Sequence, residues 1–200
     1  MAADRRRGLY AAGAITALLT TVAWGTDRTW EPLDVSPDDT STGSPPRVVE
    51  GAPRGPYIVV DRGNNRLLLR SGSEILLDAV VSTGSGVVLH EPGPEGRTWE
   101  FATPAGRFRV LDERERPVWV RPDWAFVEAG LPIPERTADR REPGALGEYA
   151  LGLGDGYLIH GTLYERLLGY SVTHGCIRVG RDDLRALVRR VGPGTPVFIF

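Results

Sequence analysis

The chain has 200 residues, 24 arginines and no lysine against 26 acidic side chains, and a formal net charge of −2 at pH 7. That length supports one domain of ordinary size with a proper core. The charge excludes the basic footprint that phosphate-backbone binding requires, so nucleic acid is not an expected partner. No Cys-x-x-Cys or His-Glu-x-x-His spacing and no glycine-rich phosphate loop occurs, so neither a metal nor a cofactor is expected.

In chain order, residues 1–25 come first. Arg5, Arg6 and Arg7 precede Gly8 to Gly25, a stretch that is apolar apart from Thr16, Thr20 and Thr21. A basic start followed by a short apolar run reads as an export signal, with Thr21 and Ala23 available for cleavage. The run is close to the lower limit for crossing a bilayer, so an uncleaved anchor is equally open. Either way the arginines keep the N-terminal end cytoplasmic and place the rest in the extracytoplasmic cell envelope. Membrane contact is expected only through this segment. Residues 26–56 follow, with Pro32, Pro37, Pro45, Pro46, Pro53 and Pro56 among Asp, Ser, Thr and Gly and no apolar periodicity. They read as an extended tether.

From residue 57 the pattern becomes β-like. Tyr57–Val60, Arg66–Arg70 and Ile75–Ser82 are short runs separated by Asp61-Arg62-Gly63-Asn64-Asn65 and Ser71-Gly72-Ser73, which predicts an antiparallel meander. Ser82 to Gly96 is rich in Gly and Pro and is expected to be a loop, with His90 an exposed bystander in it. Arg107–Leu111 alternates like a half-buried strand. Between Asp112 and Glu148, Pro117, Pro122, Pro132, Pro134 and Pro143 break any long element, and Trp119, Trp124 and Phe126 stand among them. Tyr149–Leu153 and Tyr157–Gly161 are two more strands, joined at Gly154-Asp155-Gly156. One helix is expected: Leu184, Leu187, Val188 and Val191 form an apolar face, with Asp182 and Asp183 at its start and Arg189 and Arg190 at its end. Gly192-Pro193 stops it, and Val197–Phe200 is the last strand. Residues 57–200 therefore read as a mainly β domain with one C-terminal amphipathic helix before the last strand.

Chemistry concentrates in Tyr157–Arg178. Cys176 is the chain's one cysteine, and two of the three histidines, His160 and His174, lie in the same segment. In an oxidising compartment a cysteine without a partner is either intermolecular or a reactive thiol. A thiol with an ordinary pKa near 8.5 needs a base to act as a nucleophile at neutral pH, and imidazole is the usual one. His160 closes an apolar strand, which fixes its position. His174, two residues before the thiol, shares its face in an extended segment, so spacing alone leaves both histidines open as the base. Gly175 permits positive φ and close backbone approach, which suits amide donors aimed at an oxyanion. Arg178 follows the thiol by two, either as a bidentate clamp for a carboxylate or as half of a structural salt bridge.

Ile159-His160-Gly161-Thr162 and Thr173-His174-Gly175-Cys176-Ile177-Arg178 resemble the signature of the YkuD-type L,D-transpeptidases, which cross-link bacterial peptidoglycan through a cysteine acyl-enzyme. The resemblance extends over Val60-Asp61, Ser82-Thr83-Gly84, Thr103-Pro104-Ala105-Gly106-Arg107-Phe108 and Gly194 to Val197. It implies a β-sandwich or barrel-like catalytic domain with its site under a flap. It also implies Cys176 as nucleophile, His160 as base, and the backbone around His174, Gly175 and Cys176 as the oxyanion pocket. Thr173 replaces the commoner Ser. Where some members carry Ser after the base this chain has Gly161, whose carbonyl must then orient His160. By the same resemblance Arg178 and Thr173 belong to the substrate side. Trp119 and Trp124, in the region that partly covers the site, either stack on glycan or stem peptide or simply pack into the insert. The implied reaction takes a tetrapeptide stem as donor, releases D-Ala and passes the thioester to an amine of another stem, giving a 3→3 cross-link. An L,D-carboxypeptidase, a transferase attaching protein to the wall, and a non-catalytic peptidoglycan-binding module are the competing readings. A papain-like protease fits poorly, because the cysteine follows the histidine and the early cysteine motif is absent.

Overall fold

Short β-runs separated by turn residues have one way to bury an alternating apolar face, which is to pair side by side and curl around it. In the computed structural model, which describes residues 53–200, the expected meander is present. It consists of β1 (Pro56–Asp61), β2 (Arg66–Ser71) and β3 (Glu74–Ser82), with β2 antiparallel to β1 and β3 antiparallel to β2. Asn65 at φ 52° and Gly72 at φ 56° supply the left-handed turn positions. The expected export segment, and the tether as far as residue 52, lie outside the described residues.

Further along come β4 (Val88–His90), β5 (Thr98–Glu100), β6 (Gly106–Arg109) and β7 (Asp112–Glu115). The Pro-rich insert holds β8 (Val118–Val120), α1 (Asp123–Glu128) and β9 (Arg141–Pro143). The chain closes with β10 (Tyr149–Gly154), β11 (Tyr157–His160), β12 (Ile177–Val179), α2 (Arg181–Val188) and β13 (Pro196–Ile199). Nine strands form one curled sheet in the order β6-β13-β1-β2-β3-β12-β11-β10-β7. Two of its pairings are parallel, β1 with β13 and β11 with β12.

Two expectations need correction. The stretch from Ser82 to Gly96 is not wholly loop: β4 pairs with β5 as a hairpin, because Val88-Leu89-His90 finds a partner beyond the Gly/Pro turn. The insert also carries a second helix, α1, which starts directly after Pro122 with Asp123 in its first turn. Pro is tolerated at a helix start and not inside one, so the prolines bound this element instead of preventing it.

β3 is the strand on which the curl turns. It pairs with β2 from Glu74 to Val80, and its last residues, Val81 and Ser82, pair with β12. The enclosed face carries Ile58, Val60, Leu67, Leu69, Val81, Leu151, Ile159, Ile177 and Val179, all buried. α2 lays Leu184 and Leu187 on this core. Its helical span ends at Val188, and Val191 is buried just beyond it. Leu187 has no exposed surface, so Leu187→Ala is expected to destabilise the domain by about 2–5 kcal/mol, measured as a lowered urea midpoint with unchanged slope.

Candidate active site

The parallel pairing of β11 with β12 builds the site. Ile159 lies opposite Ile177 and His160 opposite Arg178. Cys176, one residue before β12, therefore comes level with Leu158, and its thiol donates to the Gly156 carbonyl at 3.8 Å. Side chains two apart on a strand share a face, and partners across a parallel pair point the same way. Ile159 and Ile177 therefore enter the core, while Leu158, His160, Cys176 and Arg178 emerge together on the other side.

His160 is 5% exposed. Its Nδ1 lies 2.6 Å from the carbonyl oxygen of Gly161. A carbonyl only accepts, so Nδ1 carries the proton and Nε2 keeps its lone pair. Burial pushes this imidazole down to about 4, helped by the Arg178 charge and opposed by the Gly161 and Leu146 carbonyls. Burial pushes the half-buried Cys176 thiol up, with the Leu158 N–H and the Arg178 charge pulling the other way. At neutral pH the two groups are therefore neutral thiol and neutral imidazole. Arg178 is half-buried, and its burial pulls it below its ordinary value. Among the described residues no carboxylate pairs with Arg178.

The turn before the thiol is tied down by hydroxyls. Thr173 Oγ1 donates to the Cys176 carbonyl at 2.6 Å and accepts from the Gly175 N–H at 3.2 Å. Thr103 Oγ1 donates to the Gly175 carbonyl and accepts from the Gly84 N–H, both at 2.8 Å. Thr173 also bonds through its backbone to Thr83 and Ser85. Gly175 has φ 113°, and a Cβ there would lie 2.9 Å from the Tyr157 ring and 3.1 Å from the Ala102 carbonyl, so only glycine fits. Its N–H is taken by the Thr173 hydroxyl.

His174 turns to the insert. Its ring stacks on Trp124 at 4.3 Å and 18°, meets Phe101 edge-on at 4.4 Å, and puts Nε2 2.9 Å from Glu128 Oε2. Trp119 packs on Trp124 at 5.9 Å. Both tryptophans are half-buried within the insert, where they meet each other and Trp124 meets His174. His90 is exposed and bonds Thr98. Behind Gly161 lies a cleft of about 380 Å³ bounded by Gly147, Glu148, Thr162, Leu163 and Arg181. Neither Cys176 nor His160 lines it.

Thr103, Phe101, Glu128 and Leu146 were not assigned roles from sequence. The Thr-Pro-x-Gly pattern marked Thr103, and nothing local marked the other three. No group of three or more potential metal ligands occurs among the described residues.

Residues 55–199 match the family model of the L,D-transpeptidase catalytic domain, YkuD. The chain belongs to this family. It is 34% identical over 113 residues to the probable L,D-transpeptidase YcfS of Escherichia coli, a match covering 48% of this chain and 32% of that one. The putative L,D-transpeptidase YqjB of Bacillus subtilis is 28% identical over 153 residues, covering 74% and 72%. The match thus spans about a third of YcfS and most of YqjB. In fold the domain is similar to the L,D-transpeptidase of Xylanimonas cellulosilytica, with TM-score 0.54, 21% identity and coverage of 74% and 62%. It is also similar to the catalytic domain of the Enterococcus faecium L,D-transpeptidase acylated by ertapenem, with TM-score 0.52, 23% identity and coverage of 75% and 100%.

The buried imidazole makes stability depend on pH. Because the folded value is about 4 and the ordinary one 6.5, the unfolded chain binds more protons between them. Stability is therefore complete above about pH 6.5 and falls as the pH drops towards 4. Urea midpoints taken between about pH 7 and pH 4.5 should fall more steeply for the wild type than for His160→Gln.

Proposed function

We propose that the protein is an exported peptidoglycan L,D-transpeptidase working through a thioester on Cys176. The observation that carries this reading is the buried His160, its Nδ1–H held by the Gly161 carbonyl, on the strand pair whose register brings it to the same face as Cys176.

Because the thiol is protonated at rest, Nε2 takes the Sγ proton as sulfur attacks the amide carbonyl between the third residue and the terminal D-Ala of a donor stem. The His174 and Cys176 amides meet the oxyanion. Collapse breaks the C–N bond, the imidazolium gives its proton to the departing D-Ala amine, and the thioester remains. An amine of a second stem then attacks, loses a proton to His160 and expels the sulfur, which recovers its proton. Arg178, half-buried and without a carboxylate partner among the described residues, is suited to a carboxylate of the donor stem. Trp119 and Trp124 support the insert in this reading. The N-terminal segment serves as export signal or anchor, and the Pro-rich stretch as a tether to the wall.

Mass spectrometry of disaccharide-tetrapeptide incubated with the protein tests this. The expected product is a dimer lighter by one D-Ala than two monomers, absent with Cys176→Ala. His160→Gln should lower the rate by roughly 10²–10⁴-fold. Arg178→Ala should lower donor kcat/KM by about 10–100-fold. Cysteine-dependent tripeptide without dimer would make the enzyme a carboxypeptidase, and no cysteine-dependent change would favour a binding module.

A further inference from the structure

The turn that presents the thiol has three fastenings, and they differ in kind. Thr173 and Gly175 are held by hydroxyls and backbone of the sheet side, through Thr83, Ser85 and Thr103. Among the described residues, His174, which lies between them, is held through its side chain, by Phe101 and by two residues of α1. Trp124 covers one face of the ring and Glu128 takes Nε2 with both carboxylate oxygens, at 3.0 and 2.9 Å. A carboxylate accepts, so Nε2 donates. α1 itself is anchored at its other end, where Asp123 pairs with Arg97 from the β4–β5 hairpin and with Arg140 from the turn before β9. A six-residue helix thus spans from one clamp to the thiol turn.

We propose that Glu128 and Trp124 are positioning residues: through His174 they fix the amides of His174 and Cys176, so that the docked insert helix completes the oxyanion pocket. This rests on the reading that Cys176 forms an acyl-enzyme. Without the carboxylate or the ring, residue 174 loses part of its side-chain fastening while the strands carrying His160 and Cys176 keep theirs. The effect therefore falls on steps that develop an oxyanion and spares the nucleophilicity of the sulfur. A displacement on the order of 1 Å in such donors costs roughly tenfold to a hundredfold.

Two reagents separate these effects on the full chain. Ertapenem acylates a thiol by forming the Sγ–C bond and breaking the lactam C–N bond, the thiol proton passing through His160 to nitrogen, with an oxyanion on the way. Iodoacetamide alkylates sulfur by displacing iodide, with no oxyanion. Both adducts are followed by intact mass, and the ertapenem reaction is resolved into its saturating rate and half-saturating concentration. Glu128→Ala and Trp124→Leu are expected to lower the saturating acylation rate at least about tenfold while alkylation stays within about twofold. Glu128→Gln, whose amide oxygen still accepts from Nε2–H, should recover most of that rate. Wild-type acylation rates in Glu128→Ala and Trp124→Leu would overturn the proposal. So would parallel loss of acylation and alkylation, which would make the pair a matter of folding only. A wild-type protein that is alkylated but never acylated would overturn the acyl-enzyme reading, and this proposal with it.

Discussion

The hydrogen bond from His160 Nδ1 to the Gly161 carbonyl is the constraint on which the rest of the site depends. It selects the tautomer, points Nε2 at the face where the thiol emerges, and does so in a setting buried enough to keep the ring neutral. A carbonyl can serve only if its own peptide is immobile. Here the peptide is pinned by backbone packing: a Cβ on Gly161 would lie 3.2 Å from Gly147 Cα, 3.2 Å from Leu184 Cδ2 and 3.3 Å from the Leu146 carbonyl. Gly147, at φ 73°, is as tightly confined against Gly161 in return. The orientation of His160 thus comes from glycine-on-glycine contact, backed by α2 through Leu184.

The same burial sets the resting state of the thiol. Desolvation disfavours both thiolate and imidazolium, so an ion pair is not the ground state in this site. In the proposed reaction proton transfer accompanies attack, and the charge that develops moves to the acyl oxygen, where backbone amides would receive it. Arg178 lies beside both groups and favours the thiolate over the imidazolium. The hydroxyls of Thr103 and Thr173 explain two pieces of the sequence pattern at once: each accepts from one glycine-turn amide and donates to one carbonyl of the thiol turn, a pattern that an apolar side chain of equal size could not supply.

Much of this was legible in the sequence because its signals are local. The strands around Asp61–Asn65 and Ser71–Ser73, the α2 stripe of Leu184 and Leu187, and the grouping of His160 with Cys176 follow from period, turn chemistry and a short motif. The likeness of Ser82-Thr83-Gly84 and Thr103-Pro104 to a family pattern was visible too. Its physical reason was not, since Gly84 is required by the Phe101 carbonyl and the Thr103 amide, each 2.4 Å from where a Cβ would stand. The β4–β5 hairpin was missed because its strands are three residues each and a Gly/Pro turn masks their pairing. α1 was missed because a single short helix bounded by proline has almost no periodic signal, and its role depends on the contact of Glu128 with a residue 46 positions away.

The central claim is the neutral, Nδ1-protonated His160 at rest, and ¹⁵N NMR of the histidine side chains in the wild-type protein and His160→Gln tests it most directly. The account predicts one neutral imidazole, absent from the variant, with its proton on Nδ1, that begins to charge only as the pH approaches about 4. An imidazolium at neutral pH, or a titration near the ordinary 6.5, would contradict it and put a thiolate–imidazolium pair in its place.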